Sequence, residues 1–300
     1  MPIHTSQLNC RMMPYFVKGI QDNILKPLEL NTEIALSLSP TLKVLVTLID
    51  ANHIPGSVMV LIKGYFGNIL YTGDFRYDLN MLNVSPLKEV INREDMDEIY
   101  LDNTFFYPTC DFACRQEILE KIVSLVTNHP EYHIYIGIRK IGKEEVLVEI
   151  AKRLRERIFV SQAKFEMLKL MNYPDVFTTD PNTSRIHCLN FNALNRKFMQ
   201  KESSKRLTLG IILTALYYGW DSPSIAAPYS YSKSYGLHVL EYSDHCAYSE
   251  LQEFVKAIKP KLVKPIINNV VGWGMMRDWP NFLITRINMS PLKPYLSKGK

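Results

Sequence analysis

The chain has 300 residues, a formal net charge of +5 and a composition of 47% apolar and 22% charged residues, which is typical of a globular protein and excludes disorder over most of its length. Its apolar runs are too short for a transmembrane helix of about 20 residues, and its first residues lack a signal-like apolar core. Five cysteines are too few for a disulfide framework, and their odd number favours a reducing compartment such as the cytosol or nucleus.

Apolar patterns predict strands in the first part of the chain and a mixture of helices and strands after it. Runs bounded by Gly, Pro, Asn or Asp are typical of strands, and apolar residues spaced three or four apart are typical of helices. Ser249 is the predicted N-cap of the last helix. This order of elements indicates an α/β or α+β fold. In chain order, we predict strands at 42–49, 57–62, 68–72, 98–101, 133–138, 209–213 and 261–267, and helical stripes at 118–126, 146–154 and 251–258.

The basic residues are concentrated in three stretches, 139–169, 196–206 and 256–300. Separated basic stretches suit a polyanionic partner, because Lys and Arg that neutralise phosphates release counterions. The same pattern also fits a solvated protein face, so charge alone leaves both interpretations open. No Gly/Ser-rich linker divides the chain, so a second domain must be an insertion or must share an interface with the first.

Three predicted strand ends carry side chains that suit a metal site. His53 and Asp74 each follow an apolar strand, and His245 lies just before the last predicted helix. Loops at strand ends gather functional groups on a rigid support, so these side chains could converge on one zinc ion or form part of a two-metal hydrolase site. A lone histidine at a strand end is more often a hydrogen-bonding turn residue, and spacing alone leaves that alternative open.

Four segments, 50–59, 70–76, 100–104 and 242–251, carry a specific resemblance. They resemble the Apollo branch of the Apollo/Artemis family of DNA cross-link repair nucleases, which is the β-CASP branch of the metallo-β-lactamase fold. The resemblance extends over residues 2–267. It implies that two zinc ions serve the hydrolysis of a DNA phosphodiester.

The resemblance also implies an architecture. The expected fold class is α/β, a metallo-β-lactamase αβ/βα sandwich that lacks its N-terminal strands and carries an inserted β-CASP domain. Residues 1–107 would form the first part of the metallo-β-lactamase domain, 108–232 the insertion, and 233–300 the second part with a short tail. Two of the three basic stretches fall in the insertion, where the family binds DNA between its two domains.

The family's site residues can be placed on this chain one by one. The resemblance implies His53, Asp74 and His245 as zinc ligands, with Asp74 bridging the two ions. Asp102 falls on the acidic residue of β-CASP motif A, and His187 falls on the histidine of motif B. All five are expected to take part in catalysis.

The segment 136–144 resembles the part of the family that binds the 5′-phosphate of a DNA end. It retains Lys143, whereas Lys140 stands where relatives usually have serine. An ammonium can pair with phosphate as a point charge, so both lysines are predicted to bind phosphate. The pair Gly219 and Trp220 falls where relatives place a substrate-contacting loop, and a buried tryptophan beside a turn is an equal alternative.

The family's main metal-binding signature, His-x-His-x-Asp-His, has no counterpart in this sequence. What remains is His53 with Asp74 for one ion and Asp74 with His245 for the other, fewer than the three or four protein ligands of a stable zinc site. We therefore expect a chain shortened at its N-terminus that binds zinc weakly and has little or no nuclease activity. Restoration of the upstream segment is expected to restore activity.

The function that the resemblance implies is a 5′-to-3′ DNA exonuclease of interstrand cross-link repair and telomere end processing in the nucleus. Its expected partner is DNA, single-stranded or with a 5′-phosphorylated end, and no membrane is expected. A telomere-binding protein is a further candidate partner, although no docking segment is recognised in 271–300. Two alternatives stay open: a catalytically dead DNA-binding or scaffold isoform, and an RNA-processing β-CASP endonuclease.

The other histidines and cysteines are expected to be structural. His129 and His133 are predicted in a solvated loop, and His238 in a packed strand. Cys188 and Cys246 adjoin candidate site histidines, which raises a Cys/His nucleophile as an alternative. Adjacent strand residues point to opposite faces, which argues against that pairing.

Overall fold

A computed structural model describes residues 2–215 and 236–267 of the chain. The strands are β1 Ile3–Ser6, β2 Leu25–Leu28, β3 Glu33–Ser37, β4 Lys43–Asp50, β5 Val58–Gly64, β6 Gly67–Tyr71, β7 Glu98–Leu101, β8 His133–Ile138, β9 Ile158–Phe159, β10 Phe177–Thr178, β11 Ile186–Asn190, β12 Thr208–Leu213, β13 Leu237–Leu240 and β14 Leu262–Pro265. The α-helices are α1 Gln7–Phe16, α2 Ser85–Asn92, α3 Arg115–Thr127, α4 Glu144–Leu154, α5 Gln162–Leu170, α6 Arg196–Ser203 and α7 Tyr248–Ile258. Short 3-10 helices occupy Asp22–Ile24, Leu79–Asn83 and Phe191–Ala193.

The first sheet has the strand order β14-β7-β6-β5-β4-β3. Strands β3 to β6 are antiparallel neighbours, whereas β6, β7 and β14 run parallel to one another. The β5–β6 hairpin turns through Tyr65 and Phe66, and Gly67 has a φ of 99°, a backbone conformation that glycine adopts without steric cost. The predicted strands of this sheet are confirmed, with bounds that shift by one or two residues.

The second sheet has the order β10-β9-β11-β8-β12-β13, and its strands are all parallel. Every residue of β12 is buried, as expected for a parallel strand covered on both faces. Helices α3, α4 and α5 pack their apolar sides against the sheet. Because parallel strands all end at the same edge, the loops after β8, β11 and β12 meet there.

The last helix, α7, returns the chain to the first sheet. Phe254 is fully buried and lies 4.7 Å from Phe75 between ring centroids, inside the core of that sheet. The prediction that Ser249 is the N-cap of this helix is wrong. The cap is Ala247, whose N–H donates to Glu250 at 2.8 Å, while the Ser249 hydroxyl donates to Asp111.

His133 begins β8, which confirms the predicted strand at 133–138 and shows that the placement of its side chain in a solvated loop was wrong. Its ring lies 4.2 Å from the His187 ring between centroids, and its Nε2 is buried with no hydrogen-bond partner in the described part of the chain. Burial, together with the neighbouring His187 and Arg206, lowers the pKa of His133 to about 4. The imidazole is therefore neutral near pH 7 and packs as an aromatic ring.

The expected domain boundaries remain proposals. Residue 232, the expected end of the insertion, lies outside the described residues. The following strand β13 still pairs with β12 of the second sheet, so we propose to draw this boundary after Leu240. The expected boundary at 107 falls in the segment between β7 and α3, where the chain leaves the first sheet.

The two sheets are held together beside their strand ends. The guanidinium of Arg115, on α3, donates to Asn52 Oδ1 and to the Asn52 carbonyl at 2.7 Å each, and to the Ser243 carbonyl at 3.0 Å. On another side, the Tyr15 hydroxyl of α1 donates to the Ala163 carbonyl of α5 at 3.1 Å.

Among the described residues, no helix is long and apolar enough to cross a membrane.

Candidate metal centre

His53 lies in the tight turn that joins β4 to β5. Asn52 before it has a φ of 51°, a conformation that asparagine tolerates better than most residues. The His53 Nδ1 lies 3.1 Å from the Asp244 carbonyl oxygen, which only accepts hydrogen bonds. Nδ1 therefore carries the proton, and the lone pair of Nε2 is free to bind a metal.

Asp74 follows β6 and Gly73, which has a φ of 54°. The Asp74 carboxylate is 53% exposed, and its Oδ2 lies 3.7 Å from His53 Nε2. A half-exposed carboxylate facing an imidazole lone pair is a poor hydrogen-bonding arrangement. It is a suitable pair of donor atoms for a cation such as zinc.

His245 is oriented by Asp102, at the end of β7. Its Nδ1 lies 2.7 Å from Asp102 Oδ2, and Asp102 also accepts hydrogen bonds from the Thr104 hydroxyl and N–H. Burial by itself raises the pKa of Asp102, but the hydrogen bonds to His245 and Thr104 outweigh burial and lower it. An ionised Asp102 holds the proton of His245 on Nδ1 and leaves Nε2 free, the arrangement of carboxylate–histidine–metal sites.

The three predicted ligands lie together. One donor atom from each of His53, Asp74 and His245 lies within 4.8 Å of the others, and the two imidazole rings are 4.6 Å apart between centroids. Tetrahedral zinc with bonds of roughly 2.0–2.2 Å separates its ligand atoms by about 3.4 Å, so side-chain movements of about 1 Å would close this cluster. These three residues could therefore hold a metal ion, and the expected sharing of Asp74 between two ions stays a prediction.

Burial lowers the pKa of His53, and the neighbouring His245 lowers it further. A neutral imidazole is the form that binds a metal. The lowered pKa of His53 and the hydrogen bond at its Nδ1 therefore both favour a neutral imidazole with Nε2 free.

Arg76 fixes the loop that carries His245. Its buried guanidinium donates to the carbonyls of Ser243 and His245 at 3.3 and 3.1 Å and to Glu250 at 3.0 and 2.7 Å. Arg115 has the corresponding role for the His53 turn, which it holds from α3. It precedes the predicted helical stripe at 118–126, and no local pattern marked it as a site residue.

The two predicted phosphate-binding lysines differ in their surroundings. Lys143 has a side chain only 8% exposed, forms an ion pair with Asp244, and has a pKa lowered by burial. Lys140 is exposed, and its ammonium lies over the rings of Phe16 and Tyr15 at 4.5 and 5.6 Å. Both line a cavity of about 600 Å³ that His53, Asp74 and His245 also line.

His187 does not join this cluster. It lies in β11, where its Nε2 is 3.0 Å from the Ser184 carbonyl and 3.1 Å from the Pro181 carbonyl, and its ring packs on Phe159 and His133. It is not among the residues that line the cavity. The structure thus gives His187 a packing role in the second sheet and no contact with the candidate site.

The cysteines beside the site histidines are not activated nucleophiles. Burial raises the pKa of Cys188 to about 12 and raises the pKa of Cys246 well above its ordinary value. Nucleophilic cysteines react as thiolates, and these two remain thiols near pH 7. The Gly219–Trp220 pair, the candidate substrate-contacting loop, lies outside the described residues.

Asp102→Asn is expected to weaken zinc binding by about 10- to 100-fold, because the amide carries no charge to fix the His245 tautomer. Competition with a chromophoric chelator measures the affinity. The matched control is Asp175→Asn, which alters an exposed carboxylate paired with Arg157 and should leave the affinity unchanged. An equal affinity in the Asp102 variant and the unmodified chain would show that Asp102 does not support the centre.

The sequence matches known proteins over most of its length. A family model described as "DNA repair metallo-beta-lactamase" matches residues 172–271. The 5' exonuclease Apollo of Danio rerio is 35% identical over 274 residues, which cover 91% of this chain and 45% of that protein. The Apollo protein of Mus musculus is 38% identical over 223 residues, 74% of this chain and 38% of that protein.

A DNA cross-link repair 1A protein of Homo sapiens is 30% identical over 283 residues, 89% of this chain and 26% of that protein. The chain thus spans about half the length, or less, of these curated relatives. Among solved structures, a protein of unknown function from Enterococcus faecalis V583 matches with a TM-score of 0.59 at 13% identity, over 89% of this chain and 70% of that one. At this identity the likeness concerns the fold alone.

Proposed function

Because the chain is an Apollo-like member of the family of DNA cross-link repair metallo-β-lactamase proteins, we propose that it hydrolyses phosphodiester bonds of DNA from a 5′ end. The family match also confirms the α/β metallo-β-lactamase fold class expected from the sequence. The observation that carries the proposal is the cluster of His53, Asp74 and His245 in a cavity with two lysines. Metal-binding side chains beside cations suit an anionic phosphodiester.

The metallo-β-lactamase family implies metal dependence, and we propose zinc as the ion. When bound, zinc would supply Lewis-acid stabilisation of charge on phosphate oxygens and would lower the pKa of water. The chain's own residues supply the remainder: His53, Asp74 and His245 hold the ion, and Asp102 fixes the tautomer of His245. Lys140 attracts the phosphate.

Lys143 is expected to contribute less direct attraction than Lys140. Its ammonium already pairs with Asp244, which also lies 3.5 Å from Arg115. A phosphate that approaches Lys143 therefore meets a partly neutralised group, whereas Lys140 has no ion-pair partner in the described part of the chain. We propose that Lys140 is the main phosphate-binding lysine.

One relative is named a DNA cross-link repair protein, and we propose that the chain acts in interstrand cross-link repair and in the nucleus. Telomere end processing is a further proposal that rests on the resemblance to Apollo. The tail 271–300, where a docking segment for a telomere-binding protein was sought, lies outside the described residues. That partner remains a proposal.

One experiment distinguishes the proposed DNA nuclease from the two alternatives, a DNA-binding scaffold and an RNA endonuclease. The purified full chain, in excess over substrate and with zinc added or chelated, is mixed with 3′-labelled, 5′-phosphorylated single-stranded DNA or with RNA of matched sequence. Because the chain lacks the family's main metal-binding signature, we expect only slow, zinc-dependent shortening of the DNA from its 5′ end, and still slower loss of RNA. Salt-dependent DNA binding without turnover at any zinc concentration would overturn the proposal in favour of a scaffold, and faster cleavage of RNA would favour the RNA endonuclease.

A further inference from the structure

Two neighbouring aromatic rings at the end of α1 lie beside Lys140. Tyr15 and Phe16 are 41% and 37% exposed, and their ring centroids are 5.5 Å apart in an edge-to-face arrangement. The Lys140 ammonium lies 4.5 Å from the centroid of Phe16. An exposed aromatic pair beside a cation offers a π-face next to a positive charge, which suits a ligand that carries a flat ring and an anionic group.

The aromatic pair is held in place by both parts of the molecule. Met12, one turn earlier on α1, is buried, and the Tyr15 hydroxyl donates to the Ala163 carbonyl of α5. The rings therefore need little ordering when a ligand binds, which lowers the entropic cost of binding.

Lys140 also marks the point where two cavities adjoin. The larger one contains His53, Asp74 and His245. The smaller, of about 140 Å³, is walled by side chains that include Tyr15, Met167 and Leu189. Arg139, Lys140 and Asn190 line both cavities. A continuous surface thus runs from the three candidate metal ligands, past Arg139 and Lys140, to the apolar recess beside Tyr15 and Phe16.

We propose that Tyr15, Phe16 and the adjoining recess bind the unstacked terminal base of a single-stranded DNA end while Lys140 pairs with its phosphate. This inference rests on the proposed function and adds to it the residues that would bind the first base of the DNA end. A nucleotide offers the matching chemistry, an apolar π-face next to an anionic phosphate, and proteins bind single strands by combining aromatic stacking with a basic groove. The continuity with the ligand cluster favours this occupant over an unrelated apolar peptide.

The binding can be measured without turnover. A 5′-phosphorylated oligonucleotide with 2-aminopurine as its first base is titrated with the full chain with zinc chelated, and anisotropy is followed beside 2-aminopurine fluorescence. Stacking on the rings should quench the fluorescence. Replacing the first base with an abasic nucleotide, or making the double variant Tyr15→Leu/Phe16→Leu, should weaken binding about tenfold, and the variant should also lose the quench.

The chain contains a matched control. Tyr65 and Phe66 form a second exposed edge-to-face pair, with centroids 5.3 Å apart, at the tip of the β5–β6 hairpin and outside the cavity. Tyr65→Leu/Phe66→Leu should leave both affinity and quench unchanged. Tyr15→Phe, which keeps the ring but removes the hydroxyl that anchors it, should keep the quench and weaken binding less than the double leucine variant does.

Equal affinity for the normal and abasic ends, or an unchanged quench in the Tyr15/Phe16 variant, would overturn the inference while leaving the proposed nuclease function intact. Zinc-dependent cleavage by the unmodified chain, assayed separately, reports on that function. If the chain neither bound nor cleaved DNA, the proposed function itself would be wrong, and the base-binding inference would fail with it.

Discussion

Asp74→Ala is expected to abolish metal-dependent hydrolysis and to weaken zinc binding by more than about 100-fold, since it removes one of three converging ligands. This loss of zinc affinity should exceed the loss caused by substitution of a residue that only orients a ligand, such as Asp102. Isothermal titration with zinc measures the affinity, and degradation of 5′-phosphorylated DNA measures the activity.

The Asp74 carboxylate is half exposed and lies beside His53, so its removal should affect metal binding more than folding. Its free energy of unfolding without metal should change by less than about 0.5 kcal/mol. Asp78→Ala is the matched control, since Asp78 lies four residues further along, outside the cluster, and its carboxylate caps the Asn80 N–H. If Asp74→Ala bound zinc as tightly as the Asp78 variant does, the assignment of this centre would be refuted.

Arg76→Met is expected to destabilise the protein by about 3 kcal/mol, the lower end of the range for breaking a buried ion pair. The lower end applies because Glu250 is 22% exposed, whereas the Arg76 side chain is 3% exposed. The change removes the cation that pairs with Glu250 and one hydrogen-bond donor from each of the carbonyls of Ser243 and His245. Urea unfolding of the zinc-free protein measures the effect.

A surface arginine provides the comparison. Arg153 pairs with Glu120 at 2.7 Å, but the two side chains are 32% and 56% exposed. Arg153→Met should cost at most about 1 kcal/mol, because water and salt screen an exposed pair. Because Arg76 also anchors the His245 loop, its variant alone should bind zinc less tightly. Equal stability losses in the two variants would contradict the importance that we assign to the Arg76 anchor.

The sequence predicted the α/β class and most strands because apolar runs and turn residues report directly on burial and chain reversal. It also placed His53, Asp74 and His245 at strand ends, and the structure brings them together. It could not predict that Ala247 caps α7, because the Ser249 hydroxyl is bound to Asp111, a residue 138 positions away. Local patterns do not contain such distant partners.

The same limit applies to the polar residues that the structure reassigns. His133 lies at the boundary between a predicted loop and the predicted strand 133–138, and its side chain was expected in solvent, yet it packs as a ring against His187. Asp244 was visible only as a neighbour of His245. Its main-chain carbonyl orients His53 while its carboxylate pairs with Lys143, two roles that depend on the meeting of separate chain segments.

The hydrogen bond from His245 to Asp102 joins residues 143 positions apart, and the one from His53 to Asp244 spans 191. The helices and strands of most of the second sheet lie between these partners. Closing such long loops is entropically expensive, and non-local contacts of this kind slow the folding of a chain. The geometry of the centre therefore depends on the intervening sheet, and we expect metal affinity to appear late during refolding.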